Sequence, residues 1–278
     1  MTTDYQAPVL RILPDAGEPE PLQGLYLNAP LPDSGRLGPF VYGNFVTTLD
    51  GRISLHDEET GVEGVPPSIA DPRDWRLFQE LAARADALIT SGRYLRDLKA
   101  GTAQDVLPLG TGPAFADLRQ WRQDQGLPAQ PDVIVLSASL EFEPPQQLLD
   151  QGRRLVVLTT EQAADSQARR LMERGVEVRR ICSGPRVGGA EAVRVIGDLG
   201  YRRVYSVTGP WVFHSLVEAG ALDALFLTWR QRIVGGQDFS TITSGPQLRP
   251  PADFRLHWMY RDLAPHSVEQ FYLCLRPV

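Results

Sequence analysis

The stretch VYSVTGPWVFHSLVEAGALDALFLTWRQRIVGG, residues 204–236, decides the fold of this chain. An apolar strand over residues 204–207 runs into the turn Thr208-Gly209-Pro210, which opens an amphipathic helix ending at Gly220. A second apolar strand follows, and the stretch closes on Gly235-Gly236. Backbone N–H groups at such a helix N-terminus point outward, and the helix dipole adds partial positive charge there. The stretch therefore predicts a β-α-β unit whose turn either binds a phosphate or merely connects a strand to a helix.

The composition is that of an ordinary soluble globular protein. The 278 residues are 42% hydrophobic and 22% charged, with a formal net charge of -6, which argues against a nucleic-acid partner. No apolar run approaches the roughly 20 residues of a membrane helix, and the first residues lack a signal-peptide core. We therefore expect a cytoplasmic protein without a membrane partner. The four histidines show no metal-ligand spacing, so no metal site is expected; they are His56, His214, His257 and His266.

The order of elements along the chain predicts the fold class. Residues 1–40 are rich in proline, glycine and acids, and are predicted to form an irregular N-terminal extension with short strands at most. Over residues 41–278, apolar strand-like runs alternate with helical patterns, which favours a single domain. This alternation predicts an α/β fold: a doubly wound, mostly parallel sheet with helices on both faces. The last two strands could pair antiparallel at the sheet edge.

Hydroxyl groups and glycines mark the predicted strand ends, where ligands of such sheets bind. The candidates are Thr47-Thr48, Thr90-Ser91-Gly92-Arg93, Ser137, Thr159-Thr160 and Thr208-Gly209. Each motif alone also suits a plain structural role: Asp50-Gly51 is a turn signal, and Arg93 either binds a phosphate or is a solvated surface charge. Together, at one edge of one sheet, they describe a pocket for a phosphorylated, nucleotide-like ligand.

Three segments resemble the pyrimidine reductases of riboflavin biosynthesis, which belong to the dihydrofolate-reductase-like superfamily. Residues 44–53, NFVTTLDGRI, resemble the family signature N-x-x-x-T-x-D-G-K followed by a hydrophobic residue. Residues 85–93, ADALITSGR, resemble its second strand and cofactor turn. Residues 207–236 resemble its E-G-G-P … G-hydrophobic-D-E … G-G segment. The resemblance runs from about residue 40 to the C-terminus.

The resemblance implies an NADPH-dependent reductase that transfers a hydride to a phosphorylated ribosylaminopyrimidine. It assigns Thr208, Gly209 and Pro210 to the cofactor diphosphate. It places Ser91, Gly92 and Arg93 along the cofactor, and Ser137 near the adenosine 2′-phosphate. Asn44 and Thr48 are expected beside the nicotinamide and the substrate, and Thr48 and Asp74 are the predicted catalytic residues, near which the reduced substrate is protonated. Asp74 matches a substrate-facing acid of the family, although an acid in a first helical turn also simply favours the helix dipole.

Two departures from the family pattern bear on the substrate and on the reaction. Val207 stands where the family has an acid, and a valine accepts no hydrogen bond from a pyrimidine or a ribose. The zinc deaminase motif often fused to this reductase is absent from the sequence, so only the reduction is expected. The alternatives are a reductase of the same fold for a pterin, folate-like or other carbonyl or imine substrate, and a nucleotide-binding module without turnover. The resemblance also implies a homodimer.

Overall fold

The structure is a computed structural model that describes residues 5–31, 38–57, 61–102, 109–265 and 268–278. Its strands are β1 (Pro8–Leu13), β2 (Glu20–Pro21), β3 (Phe40–Thr48), β4 (Ser54–His56), β5 (Glu63–Gly64), β6 (Ala87–Ser91), β7 (Asp132–Leu136), β8 (Leu155–Thr160), β9 (Glu177–Cys182), β10 (Arg203–Ser206), β11 (Ala224–Arg230), β12 (Phe239–Ser240), β13 (Phe254–Asp262) and β14 (Gln270–Pro277). Its helices are α1 (Pro72–Arg84), α2 (Gly92–Lys99), α3 (Ala116–Asp124), α4 (Gln146–Asp150), α5 (Asp165–Glu173), α6 (Gly189–Asp198) and α7 (Pro210–Glu218), with a 3-10 turn at Pro113–Phe115. None of the helices within these described ranges is long and apolar enough to span a bilayer.

Seven parallel strands form the centre of an eleven-stranded sheet, in the order β11-β3-β10-β6-β7-β8-β9. Every residue of β8 is buried, because helices cover both faces of the sheet. Leu77 of α1 and Leu171 of α5 belong to the core on one face, called the α1 face below. Ile196 of α6 and Leu216 of α7 belong to the core on the other, the α7 face. The predicted doubly wound α/β sheet is confirmed.

The crossovers on either side of β3 run over opposite faces of the sheet. Helix α1 links β3 to β6 across β10 on one face, whereas α7 links β10 to β11 across β3 on the other. Divergent crossovers of this kind leave a crevice at the carboxyl ends of the strands between them. The topology therefore directs a ligand to the carboxyl ends of β3 and β10.

Four antiparallel strands extend the sheet beyond β11, in the order β14, β13, β1, β2. Strand β14 pairs with β11 from Leu225↔Leu275 to Arg230↔Gln270, as expected for the last two predicted strands. Strand β13 was not predicted. Its sequence, FRLHWMYRD, carries charged residues at most of its exposed positions and offers no continuous apolar run. Strand β13 lies between β14 and β1 and pairs with both. This pairing stabilises a strand that its own sequence pattern does not indicate.

The N-terminal extension joins this sheet through β1 and β2, and the prediction for residues 1–40 allowed for short strands of this kind. Strand β1 pairs antiparallel with β13, from Val9↔Asp262 to Leu13↔Met259. Prolines flank the strand, and its partner lies about 250 residues away along the chain, so no local pattern reveals the pairing. The division of the chain at residue 40 into an extension and a domain stays a prediction.

A separate three-stranded sheet, in the order β12-β4-β5, follows the carboxyl end of β3. Glu63 of β5 accepts hydrogen bonds from Ser54 of β4, at 2.6 Å, and from Ser240 of β12. These bonds fasten three chain segments together at the edge of the main sheet where the predicted site residues lie.

Candidate active site

The predicted site residues gather at the carboxyl edge of four neighbouring strands. Thr48 ends β3, Ser91 ends β6, Ser137 follows β7, and Thr208 follows β10. The strands are neighbours in the order β3-β10-β6-β7, so the row from β3 to β7 spans about 14 Å. The structure therefore brings residues from four separate segments into one row, as the strand-end rule predicts.

The turn Thr208-Gly209-Pro210 leaves the N-terminus of α7 open. Gly209 precedes the helix without a side chain to cap it, and Pro210 is the first helical residue. A Cβ atom placed on Gly209 would meet no heavy atom within 4 Å, so the backbone there faces open space. The Thr208 hydroxyl lies 2.8 Å from that of Ser206, which holds the turn in shape. First-turn N–H groups of this kind suit a phosphate.

Gly92 and Ser137 meet where β6 and β7 end. A Cβ atom on residue 92 would lie 2.6 Å from the Ser137 Oγ, so only glycine permits this approach. The Ser91 hydroxyl caps α2 by accepting from the Tyr94 N–H at 3.2 Å. The Ser137 hydroxyl accepts from the Leu140 N–H at 3.1 Å. Both serine oxygens shape the backbone of the turn, and their predicted contact with a cofactor stays a prediction.

Arg93 projects from the start of α2 with 68% of its side chain exposed. Among the described residues, it pairs with the carboxylates of Glu63 at 3.6 Å and Asp97 at 3.7 Å. Exposed ion pairs of this length contribute little stability, so the guanidinium can exchange these partners for a phosphate at small cost. This position fits the predicted cofactor role, which no contact in the structure tests.

The Thr48 hydroxyl is engaged within the turn that follows β3. It donates to the Asp50 carboxylate and accepts from the Arg52 N–H at 3.1 Å. Gly51 adopts a positive φ of 79° and closes the turn by donating to the Thr48 carbonyl at 3.0 Å. Because the hydroxyl already has both kinds of partner, its predicted catalytic role stays a prediction, and its visible role is to shape the turn.

Asp50 joins this turn to the second glycine motif. Its carboxylate accepts from the N–H groups of Val234 at 3.1 Å and Gly235 at 2.9 Å, and Arg52 pairs with it at 2.7 Å. The hydrogen bond from Thr48 is the largest cause that lowers the pKa of Asp50 to about 2, and the Gly235 N–H adds to it. Both motifs are visible in the sequence, but the hydrogen bond between them was not predicted.

Asp74 lies buried in the first turn of α1, where Asp71 caps the helix by accepting from the N–H groups of Arg73 and Asp74. Burial is the largest cause that raises the pKa of Asp74, to about 7. Asp71 adds to the rise, whereas Thr228 and Arg230 oppose it. A carboxyl group with such a pKa can hold or release a proton near neutral pH.

Three strand side chains face Asp74 from the sheet and form with it the polar pocket, defined as Asn44, Asp74, Tyr205 and Thr228. Asn44 of β3 is paired in register with Phe226, two residues before Thr228 on the same face of β11. The Tyr205 hydroxyl lies beside Asn44 and within the field of Asp74. Among the described residues, no group forms a hydrogen bond of ordinary geometry with the Asn44 Oδ1, the Asp74 Oδ1 or the two hydroxyls. Unsatisfied buried polar atoms are rare and mark places where a ligand or water binds.

An aromatic pair on α1 borders the polar pocket. The rings of Trp75 and Phe78 stack with centroids 5.2 Å apart, and both side chains are half-buried. Phe78 also lies 5.3 Å from the ring of Tyr205. Val207, where the family has an acid, packs as a half-buried apolar residue beyond Tyr205, and its N–H donates to the Ile89 carbonyl. The aromatic pair therefore gives the polar pocket an apolar border next to Tyr205.

Sequence reasoning missed Tyr205 and Thr228, because each lies within an apolar strand. The alternation of side chains along a strand could have identified Thr228. It lies on the same face of β11 as Phe226, which is buried in the core of the α1 face. Of the four histidines, His214 is buried in α7, with its Nε2 2.7 Å from the Pro246 carbonyl oxygen. His266 lies outside the described residues.

Solved structures of pyrimidine reductases share this fold. A pyrimidine reductase-like protein from Corynebacterium diphtheriae superposes with a TM-score of 0.68 at 19% identity, covering 92% of this chain and 98% of that chain. The riboflavin biosynthesis reductase Rib7 of Saccharomyces cerevisiae gives 0.58 at 15% identity, covering 92% and 97%. RibD of Acinetobacter baumannii gives 0.61 at 15% identity, covering 87% of this chain and 58% of its own. These likenesses confirm the predicted fold class.

No curated protein matches the chain by sequence. The sequence model of the RibD C-terminal domain matches residues 39–262, which includes the strand ends, the α7 turn and the polar pocket. The match covers well over half of the 278 residues. The chain belongs to the RibD C-terminal domain family.

Proposed function

We propose that this protein is an NADPH-dependent reductase that transfers a hydride to a phosphorylated ribosylaminopyrimidine. Membership of the RibD C-terminal domain family supports a reductase role. The observation that carries the proposal is the buried, protonatable carboxyl of Asp74, which lies at the same sheet edge as the open N-terminus of α7. The N-terminus of α7 is suited to an anion, and the surroundings of Asp74 are suited to a heterocycle that exchanges a proton.

The residues at the sheet edge fit a dinucleotide. The first-turn N–H groups of α7 would bind its diphosphate, since Gly209 leaves them open. Gly92 has no side chain that would obstruct the carboxyl end of β6. The exposed Arg93, in the same row of residues, would bind a phosphate. When bound, NADPH supplies the hydride.

The polar pocket is suited to the pyrimidine end of the substrate. Asn44 offers an amide with a free acceptor, and Asp74 can hold a proton or accept a hydrogen bond, depending on its charge. The half-buried face of Trp75 and Phe78 would pack on a flat ring. The Asp74 carboxyl would provide the proton that the reduced substrate takes up.

Turnover with defined substrates tests the proposal. Purified protein is expected to shift or quench NADPH fluorescence at micromolar cofactor and to oxidise NADPH when the ribosylaminopyrimidine phosphate is added. Absence of both effects would refute the proposal. Turnover only with a pterin, folate-like or other carbonyl or imine compound would favour a reductase of the same fold for such a substrate. Val207, which stands where the family has an acid, is the observation that favours this second candidate. Binding without turnover would indicate a nucleotide-binding module.

Arg93→Ala tests the cofactor end separately. If Arg93 binds the 2′-phosphate, the variant should lose about tenfold or more in NADPH affinity and little in NADH affinity, because NADH lacks that phosphate. Arg96→Ala is the matched control, since Arg96 lies on the same helix but donates to the Glu141 carbonyl. Equal losses for both cofactors would remove Arg93 from the 2′-phosphate site.

The predicted homodimer is a separate expectation, and light scattering of the purified protein checks it.

A further inference from the structure

A second pocket lies at the edge of the sheet opposite the candidate active site. Near the start of β11, Leu225 pairs with Leu275 of β14. At the end of β11, Arg230 pairs with Gln270, so the two strands run in opposite directions. The strand between Leu225 and Arg230 is about 16 Å long. The last residues of β14 are therefore separated by at least this distance from the sheet edge where the candidate site residues gather.

The lining of this pocket is basic. The pocket has a volume of about 380 Å³ and is called the basic pocket below; its lining residues are Arg255, His257, Arg276, Pro277 and Val278. Arg255 and His257 belong to β13, whereas Arg276 belongs to β14. Within the ranges that the structure describes, no aspartate or glutamate side chain lines it. The side chains that meet here therefore favour a negatively charged ligand.

The two arginines face each other directly across the strand pair. Arg255 of β13 is paired in register with Arg276 of β14. Residues paired in this way on antiparallel strands lie on the same face, with their Cβ atoms about 4.5–5.5 Å apart, and like charges so placed are destabilising. A phosphate between the two guanidinium groups would replace this repulsion by attraction, because each guanidinium offers parallel N–H donors to phosphate oxygens.

Both arginines have donors that the protein itself does not use. Arg276 donates to the Pro30 carbonyl at 3.3 Å, whereas its Nε is buried and has no hydrogen-bond partner among the described residues. Arg255 is exposed, and neither guanidinium forms an ion pair with a carboxylate in the described part of the chain. Buried polar groups without a partner mark places where a ligand or water binds.

His257 adds a third polar group to the basic pocket. It is the extra residue at an irregularity of β13, between Leu256 and Trp258, where the register with β14 shifts. Burial is the largest cause that lowers the pKa of His257, and the charge of Arg276 adds to it. A bound anion would oppose the effect of Arg276, so the imidazole ring is a direct reporter of an anion in this pocket.

We propose that the basic pocket is a second anion-binding site, which holds a phosphate group between Arg255 and Arg276 with the His257 ring as a further donor. A phosphate dianion suits the site because it carries enough charge for two guanidinium groups and offers several acceptor oxygens. The site lies apart from the turn before α7, and it does not depend on the proposed function. Its ligand is the free ion or the phosphate group of a small molecule.

NMR of the imidazole C–H groups tests the proposal, with inorganic phosphate as the probe at fixed pH and ionic strength. The chain has only 4 histidines, and His257→Gln identifies the signal of His257. Phosphate is expected to shift this signal along a saturating curve with a dissociation constant of about 1–10 mM. Arg255→Gln, a change at an exposed side chain, should weaken binding by about tenfold.

The matched control is Arg261→Gln, which removes another exposed arginine of β13, one that pairs with Glu269 at 2.8 Å outside the pocket. This variant should bind phosphate like the wild type. Ribose 5-phosphate, titrated in the same way, separates the two sources of the ligand: tighter binding than inorganic phosphate would indicate a phosphorylated small molecule, and equal binding the free ion.

Three results would overturn the inference. The first is a His257 signal that does not respond to phosphate. The second is an equal response in Arg255→Gln and Arg261→Gln, which would indicate general screening of charge. The third is a shift of the His214 signal in α7 without one at His257, which would place the anion at the turn before α7 alone. Absence of NADPH oxidation, in contrast, would refute the proposed function and leave this site unaffected.

Discussion

Asp74 makes a quantitative prediction about stability, because its carboxyl is buried and its charge is poorly compensated. Burial raises its pKa from 3.8 to about 7, against the opposing effects of Thr228 and Arg230. Asp74→Asn replaces the acid by a neutral amide of almost the same shape. The variant therefore removes one titrating group and leaves the packing of α1 in place.

The sign of the effect follows from proton binding. Between about pH 4 and pH 7 the folded protein keeps a proton on Asp74 that the unfolded chain has already released. Folding stability must fall with rising pH through that window and level off above it. A rise from 3.8 to about 7, at about 1.4 kcal/mol per pKa unit, amounts to at most about 4 kcal/mol. Asp74→Asn has no titrating group at this position, so its folding stability should not show this fall with rising pH.

Urea unfolding followed by tryptophan fluorescence, repeated from pH 4 to pH 8.5, measures the effect. The stability of Asp74→Asn relative to wild type is expected to increase steadily by up to about 4 kcal/mol up to neutral pH, then stay level. Asp198→Asn, which removes an exposed carboxylate at the end of α6, should run parallel to wild type. A difference between Asp74→Asn and wild type that does not vary with pH would refute the reasoning.

Three further substitutions test other parts of the site. Gly92→Ala should destabilise the protein by about 1–3 kcal/mol and weaken NADPH binding, because its methyl group meets the Ser137 side chain; unchanged urea unfolding would contradict the close approach. Asp50→Ala should speed amide hydrogen exchange at residues 234 and 235 by about tenfold, since both N–H groups lose their acceptor; unaltered protection there would show that the bond is dispensable. Glu80→Gln should destabilise by about 3 kcal/mol, because it breaks a buried ion pair, and should expose residues 22–29, whose N–H groups Glu80 accepts, to limited proteolysis; intact resistance would argue against this role of Glu80.

The parallel centre of the fold was predictable because its signals are local. Strands such as VIVL in β7 and LVVLTT in β8 are continuous apolar runs, and the helices between them end at glycines. The turn Thr208-Gly209-Pro210 is likewise read from three adjacent residues, and it opens α7 where predicted. The pairing of β1 with β13 escaped prediction, since the two strands lie about 250 residues apart, and β13 itself was missed although its other partner, β14, is the next strand in the chain.

The candidate site divides in the same way. The positions of Ser91, Gly92 and Ser137 at strand ends followed from the strand-helix alternation and the parallel sheet. The hydrogen bond from the Gly235 N–H to Asp50 did not, because the two residues lie 185 positions apart in the chain. The identity of Asp74 as an acid was visible in the sequence, but the rise of its pKa needs the burial that only packing produces.

Sequence alone determined the fold class and the sheet edge where the candidate site residues lie, because the hydrophobic period and the glycine turns act over a few neighbouring residues. Tertiary structure alone decided the electrostatics and the membership of the site. It buried Asp74, linked Asp50 to the Gly235 loop and packed Tyr26 of the N-terminal extension against Phe226. Burial, hydrogen bonding and charge interaction are set by which distant segments meet in space, and that is a property of the packed chain.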